Sequence, residues 1–167
     1  CSTINIKRRL PDLKNEKSYI KCIYDIKNFE ETQIINYRGE KFINEEIESK
    51  VKIINDDKKE NLIFKKKFDK IGFNTVYFII EDKLTDMSFM FNNCSSLVKI
   101  NFVSVETDKV TDMLAMFQFC SGLESLDLSC FDTSNVTDMG WMFFGCNKLR
   151  SIIGIENFNT IKVKSMN

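Results

Sequence analysis

Hydrophobic residues in the second half of the chain recur every 26 positions. The phrase Leu84-Thr-Asp-Met87 returns as Val110-Thr-Asp-Met113 and Val136-Thr-Asp-Met139, and a variant, Val163-Lys-Ser-Met166, follows one residue late. Further sets of apolar positions keep the same spacing (Met90-Phe91, Met116-Phe117 and Met142-Phe143; Cys94, Cys120 and Cys146; Leu97, Leu123 and Leu149). A fixed period in this range is typical of repeat units that each bury an apolar face against a neighbour.

Within one unit, the apolar pattern predicts a short helix followed by a strand. Apolar residues from Leu84 to Cys94 are separated by steps of three, three, one and three, which places them on one helix face. Thr85 stands where a helix N-cap belongs, and Asp86 stands where the helix dipole favours an anion. The pattern from Leu97 to Phe102 then indicates a strand. Because each strand returns one unit later, we predict a parallel sheet with right-handed crossovers.

The first half of the chain has a different pattern. Residues 1–18 are polar and contain the only proline, so we interpret them as an arm or linker. The pattern of residues 19–83 predicts a β-rich capping domain, because alternation begins at Tyr19 and strand-like stretches alternate with turn-like clusters (strands at 19–27, 32–37, 51–54, 62–68 and 75–80). Asn44 to Ser49 fits a short helix instead. We predict that residues 84–167 then form an α/β repeat solenoid, and we expect it to continue beyond the end of the chain.

One unit also carries a resemblance to a known family. The spacing Leu-x-x-Leu-x-Leu resembles a leucine-rich repeat, and the run Cys-Ser-Gly-Leu-Glu-Ser-Leu-Asp-Leu-Ser-Cys-Phe-Asp-Thr-Ser-Asn-Val-Thr-Asp-Met at 120–139 resembles the 26-residue repeat of BspA-like surface proteins. The resemblance covers about residues 84–167. It implies secreted or cell-surface solenoids of bacteria and protists that serve in adhesion and protein binding, with no catalytic residues to carry over. The third unit departs from the pattern by one extra residue around Ile153-Gly154.

Composition narrows the classes of function. The chain has 24 basic and 24 acidic residues, and neither half has the basic excess of a nucleic-acid-binding protein. The run Lys65-Lys66-Lys67 is short and fits a solvated strand edge. Histidine is absent, which removes Ser-His and Cys-His nucleophilic pairs and most zinc sites. We therefore predict that the protein is not an enzyme and needs no cofactor or metal.

The ends of the chain bear on its location. No apolar run approaches the ~20 residues that cross a bilayer, and the first residues lack a signal-peptide core. The chain opens without Met and stops before the next Met-Phe pair, so we interpret it as a fragment of a longer protein. Cys1 is then a fragment boundary, although a lipid-bearing cysteine or an N-terminal nucleophile are alternatives.

Three sets of residues with reactive side chains also recur at the 26-residue period. The column Cys94, Cys120, Cys146 and the methionine pairs fit core filling better than disulfides or a Cu(I) site. The aspartates Asp86, Asp112 and Asp138 fit helix capping better than calcium binding, because the oxygen-rich spacing of a calcium loop is missing. Asn135 lies in the acceptor sequence Asn-Val-Thr and is the candidate glycosylation site.

The binding surface follows from the strand pattern. If the strand leucines point inward, the side chains between them point outward. The candidate protein-binding residues are Lys99, Asn101, Glu124, Ser125, Asp127 and Arg150. We predict a protein-interaction module, serving in adhesion or receptor-type binding at the cell surface or in secreted form, through the parallel-sheet face. The alternative is a structural scaffold or spacer in a larger, intracellular assembly.

Overall fold

The computed structural model describes residues 13, 16–35, 44–55 and 57–166. In these residues the chain forms nine strands, one α-helix and one 3₁₀ helix (β1 Tyr19–Ile26, β2 Thr32–Gln33, α1 Glu45–Lys50, β3 Val51–Asn55, β4 Lys58–Asn61, β5 Lys65–Lys66, β6 Gly72–Ile80, β7 Leu97–Val103, β8 Ser125–Asp127, β9 Ser151–Ile153 and the 3₁₀ helix Ile155–Asn157). The strand predicted to begin at Tyr19 and the short helix predicted near Asn44 are confirmed. The predicted arm lies largely outside the described residues.

The largest sheet is antiparallel throughout and has the strand order β4-β3-β6-β1-β7. In β1 the residues alternate between half-buried and buried, as expected for a strand with one face on the core. β7 belongs to the first repeat, yet it pairs with β1, so that Ile100 lies opposite Cys22. Buried residues from both halves of the chain therefore form one continuous core.

The predicted α/β repeat solenoid, with its leucine-rich-repeat sheet, is wrong. No repeat contains the predicted helix, since the residues from Ser88 to Asn93 and their counterparts are turns, and the only α-helix of the described ranges is α1. Among the described residues, parallel pairing is confined to β8 with β9 and to single bridges that link Asp86, Asp112, Asp138 and Ser165. Most strand pairing is antiparallel.

The repeat units do not form helices because their backbone amides donate to the next unit. An α-helix would bond each amide to the carbonyl four residues earlier. Here Met87 N donates to Asp112 O at 2.9 Å, and Phe91 N donates to Met116 O at 2.8 Å, so each unit bonds to the next one. We call these bonds between units the repeat ladder. Every fourth residue in a ladder segment has a left-handed backbone, including Phe89 (φ 55°) and Asn93 (φ 61°), which no α-helix accommodates.

The threonine and aspartate of each unit serve turns and the ladder instead of capping a helix, so that part of the prediction is also wrong. The Asp86 carboxylate accepts a hydrogen bond from Ser88 N at 2.7 Å, which makes it the first residue of an Asx turn. Thr111 N donates to Thr85 O at 2.8 Å, and its hydroxyl donates to the same oxygen at 3.3 Å. The aspartate side chain therefore stabilises a turn within its own unit, and the threonine stabilises the connection between units.

Ring stacking fills the interior of the repeats. Phe91, Phe117 and Phe143 form a column whose ring centroids are 5.9 Å apart at each step, with interplanar angles of 6° and 4°. The residues predicted to form the centre of the second unit have at most 2% of their surface exposed, which confirms that prediction (Met116, Phe117, Cys120, Leu123, Leu126 and Leu128). The 26-residue pattern thus identifies the core correctly, even though it predicts the wrong backbone.

Side chains from the first half close the starting edge of the ladder. The Glu46 carboxylate on α1 accepts hydrogen bonds from Thr85 N at 3.1 Å and from Asp86 N at 2.8 Å. The Asn44 amide lies within hydrogen-bond distance of Ser88 O, at 3.3 Å, and the Gln33 amide donates to Asn92 O. These side chains take the place of a preceding repeat, and they attach the repeats firmly to the first half.

Candidate protein-binding surface

The six predicted binding residues lie on or beside three consecutive strands. Lys99 and Asn101 lie on β7, Ser125 and Asp127 lie on β8, and Glu124 and Arg150 directly precede β8 and β9. All six are exposed. We call this set the strand face. Its role in binding stays a prediction, but its members share one region of the surface, because β7 neighbours β8 and β8 pairs with β9.

Buried side chains and backbone hydrogen bonds fix the strands that carry the strand face. Ile100 on β7 and Leu126 on β8 are 4% and 2% exposed, and they alternate with the outward residues as a strand requires. Arg150 N donates to Glu124 O at 2.9 Å, so the backbones that carry these two side chains are bonded to each other. The surface is therefore held in place before any partner arrives.

Charge on the strand face is mixed. Glu124 and Arg150 occupy equivalent places in successive units, yet within residues 57–166 no ion pair joins their side chains. Asp127 is used locally, since its carboxylate accepts hydrogen bonds from Ser129 Oγ at 2.6 Å and from Ser129 N at 3.0 Å. These bonds lower the pKa of Asp127 from its ordinary value. Asp127 therefore shapes the turn after β8 and stays ionised.

Asn135 is half-buried and engaged at both ends of its amide. Its Nδ2 donates to Asp108 O at 2.8 Å, and its Oδ1 accepts from Lys162 Nζ at 2.7 Å. A glycan attached to Nδ2 would replace one of the two hydrogens on that nitrogen. Glycosylation of Asn135 stays a prediction, and Cys1, the candidate lipid site, lies outside the described residues.

The buried thiols of the cysteine column have low reactivity. Cys94 and Cys120 are fully buried as thiols, and burial raises the pKa of both well above the ordinary value, with the neighbouring cysteines adding to the effect. Cys120 Sγ lies 3.0 Å from Phe91 O, and Cys146 Sγ lies 3.0 Å from Phe117 O, so these thiols donate to the ladder. Such thiols are poor nucleophiles, because the thiolate is the reactive form.

Neither a metal-binding cluster nor a membrane-spanning helix is found among the described residues. No group of three or more histidine, cysteine, aspartate or glutamate side chains that could hold a metal ion is found across these ranges. No helix that the structure describes is long and apolar enough to cross a membrane.

The repeats also carry an aromatic cluster on their turn side, which the sequence pattern did not predict. Phe119, Trp141 and Phe144 are 44%, 43% and 50% exposed, and Phe144 meets both of the other rings edge to face. The helix prediction treated these positions as parts of helical turns. The sequence does contain a signal for this cluster. Its second and third units supply more aromatic residues than one buried column can hold (Phe117, Phe119, Trp141, Phe143 and Phe144).

Comparison with known proteins identifies a family. The family described as "Mycoplasma protein of unknown function, DUF285" matches residues 63–167, which is 105 of the 167 residues. The match includes the end of the first half, from β5 and β6 onward, and all of the repeats. No curated protein and no solved structure matches the chain.

Proposed function

The chain belongs to the DUF285 family, and we propose that it is a non-enzymatic protein-interaction module that serves in adhesion or receptor-type binding. One observation carries the proposal. Six exposed side chains of mixed charge stand on or beside three consecutive strands whose backbones are already fixed by hydrogen bonds. The resemblance to BspA-like surface proteins supports a place at the cell surface or in secreted form.

The strand face suits binding for two physical reasons. A surface held rigid before contact loses less conformational entropy on association than a mobile loop does. Mixed charge, here Lys99 and Arg150 against Glu124 and Asp127, favours partners with the complementary arrangement and repels others. Arginine is also enriched in protein interfaces relative to the rest of the surface.

The test is a binding screen followed by charge reversal. The chain is applied to an array of purified secreted proteins and receptor ectodomains, and each hit is measured by surface plasmon resonance. Lys99→Glu and Arg150→Glu are each expected to weaken the affinity for a genuine partner by at least about tenfold. Lys70→Glu, an exposed charge reversal in the first half, is the matched control and leaves the affinity unchanged.

Thermal unfolding of the same variants separates binding from folding. Exposed substitutions are expected to change the free energy of unfolding by no more than about 0.5 kcal/mol. If Lys99→Glu and Arg150→Glu fold normally and every hit keeps its affinity, the strand face is not the binding surface and the proposal fails.

A second function is favoured by the continuous core. Because the repeats share one core with the first half, the molecule is also suited to be a rigid spacer in a larger assembly. In that case binding depends on the first half alone. Lys66→Glu would then disrupt assembly while Lys99→Glu would not, and protease treatment of intact cells would leave the protein uncut.

A further inference from the structure

The chain contains two acceptor sequences for N-linked glycans, Asn93-Cys-Ser95 and Asn135-Val-Thr137. The side-chain nitrogen of the asparagine bonds to the sugar, and the hydroxyl two residues later is part of what the transferring enzyme recognises. In a folded chain the amide nitrogen must therefore be reachable, and the hydroxyl must be free to meet the enzyme. The structure separates the two sequences on both counts.

The first acceptor is held at the surface by a fixed backbone. Asn93 is exposed and has a left-handed backbone (φ 61°), a conformation that asparagine tolerates better than most residues. Its backbone amide donates to Gln118 O at 2.7 Å, and its carbonyl accepts a hydrogen bond from Ser95 N at 2.9 Å. Ser95 is exposed as well. The turn thus presents an asparagine and a serine, two residues apart, to solvent.

The two side chains of this turn are not used within the molecule. Across the part of the chain that the structure describes, neither the Asn93 amide nor the Ser95 hydroxyl has a hydrogen-bond partner. Cys94, which lies between them, is fully buried, so the core holds the middle of the turn. Both groups that the enzyme needs are therefore free, on a backbone that is already in place.

The second acceptor is engaged at every group that matters. Asn135 is half-buried, its Nδ2 donates to Asp108 O at 2.8 Å, and its Oδ1 accepts from Lys162 Nζ at 2.7 Å. The Thr137 hydroxyl donates to Thr111 O at 3.1 Å. An enzyme would have to break these three hydrogen bonds to use Asn135 in the folded protein.

We propose that Asn93, and not Asn135, carries an N-linked glycan in this protein. The proposal rests on the proposed location at the cell surface or in secreted form, because it needs a compartment in which such glycans are transferred. The donor is an oligosaccharide joined to a lipid diphosphate. Asn93 Nδ2 bonds to the anomeric carbon of the donor sugar, and the bond from that carbon to the phosphate oxygen breaks. The lipid diphosphate leaves with the electron pair, and a base of the transferase takes one amide proton.

Mass mapping of the protein from the cells that make it tests the site. Peptide N-glycosidase, used in water labelled with oxygen-18, removes the glycan and converts the asparagine that carried it to a labelled aspartate. We expect the label at the position of Asn93 and an unlabelled Asn135. A label on Asn135 alone, equal labels at both positions, or no label would overturn the proposal.

Variants identify the acceptor by loss of the glycan. Ser95→Ala keeps Asn93 in its left-handed conformation but removes the hydroxyl, so the glycan is expected to be lost. Ser95→Thr keeps a hydroxyl and is expected to keep the glycan. Asn93→Gln removes the acceptor itself, and Asn135→Gln is the matched control that leaves the glycan in place. A glycan that remains in both Ser95→Ala and Asn93→Gln would refute the site.

A second experiment separates the site from the location. The full chain is fused to a secretion signal and passed through the secretory pathway of a host cell that transfers N-linked glycans. If Asn93 is labelled there but not in protein from its own cells, the proposal is overturned because the proposed location is wrong. If Asn93 is unlabelled in both, the proposal is overturned because the site itself fails. Binding through the strand face is measured on unmodified protein, so neither result depends on it.

Discussion

Removal of the Glu46 carboxylate is expected to open the starting edge of the ladder. In Glu46→Ala, the backbone amides of Thr85 and Asp86 lose their acceptor, and Lys50 loses one of its partners, at 2.6 Å, but keeps its hydrogen bond to Lys83 O. A hydrogen bond to a charged group contributes about 1.5–3 kcal/mol when it is well shielded. The Glu46 side chain is 18% exposed and Thr85 lies at the surface, so we take the lower end of this range for each of the two backbone hydrogen bonds. The free energy of unfolding is then expected to fall by about 2–3 kcal/mol in total.

The pH dependence gives this prediction a second test. Burial alone would raise the pKa of Glu46, but hydrogen bonds from Lys50, Thr85 and Asp86 outweigh it and hold the pKa below its ordinary value of 4.5. A lowered folded-state pKa means that the stabilisation is present above the unfolded pKa and is lost as pH falls through the folded one. The difference between wild type and Glu46→Ala should therefore be full at about pH 7 and shrink below about pH 4.

Urea unfolding at the two pH values measures both effects. Glu46→Gln keeps an oxygen acceptor without its charge and should lose about 1 kcal/mol. Glu48→Ala changes an exposed glutamate on the same helix and should stay within about 0.5 kcal/mol of wild type. A Glu46→Ala protein as stable as wild type at pH 7, or equally destabilised at both pH values, would show that this carboxylate does not close the ladder.

Three further predictions concern the repeats. Leu126→Ala should lower the free energy of unfolding by about 2–5 kcal/mol in urea titrations, because its 2%-exposed side chain leaves a cavity; a loss below 1 kcal/mol would contradict the packing. Burial, with the aspartates on either side adding to it, raises the pKa of Asp112, so its charged form costs stability above the unfolded pKa. Asp112→Asn keeps an oxygen for Leu114 N and should stabilise by about 0.5 kcal/mol at pH 7 but not at about pH 2, whereas equal effects at both would argue against charge repulsion. Cys130 is exposed and Cys120 is buried, so mass mapping after brief iodoacetamide treatment should find Cys130 alkylated first, and early modification of Cys120 would contradict the ladder.

The periodic pattern predicts which residues are buried better than it predicts the backbone. Steps of three and four from Leu84 to Cys94 satisfy a helix, but they also fit successive turns in which every fourth residue is left-handed. The left-handed positions hold residues such as Phe89 and Trp141, which are not the residues that turn rules select. Only the hydrogen bonds to the next unit make this conformation favourable, and those bonds cannot be read from one unit.

Long-range pairing limits the rest of the prediction in the same way. The strand pattern at Leu97 to Phe102 correctly predicts β7, yet nothing local indicates that its partner is β1, some 80 residues earlier. The strand β4 has the sequence Lys-Lys-Glu-Asn, fully exposed, so it has no apolar alternation to detect. Outward positions such as Lys99 were predictable because alternation holds for either pairing direction.

The ladder also gives the molecule an electrical polarity that its net charge of zero conceals. Between Met87 and Asn93, every ladder amide donates towards the following unit, and the same direction repeats from Met113 to Phe119. The peptide dipoles of about 3.5 D therefore point the same way within these two segments, whereas the amides of Thr111 and Thr137 donate in the opposite direction, towards the preceding unit. At the starting edge the carbonyl groups of Ser88 and Asn92 meet the amide donors of Asn44 and Gln33, and the amides of Thr85 and Asp86 meet the Glu46 carboxylate. The first half of the chain therefore supplies both donors and an acceptor to match the local direction of the peptide groups at that edge.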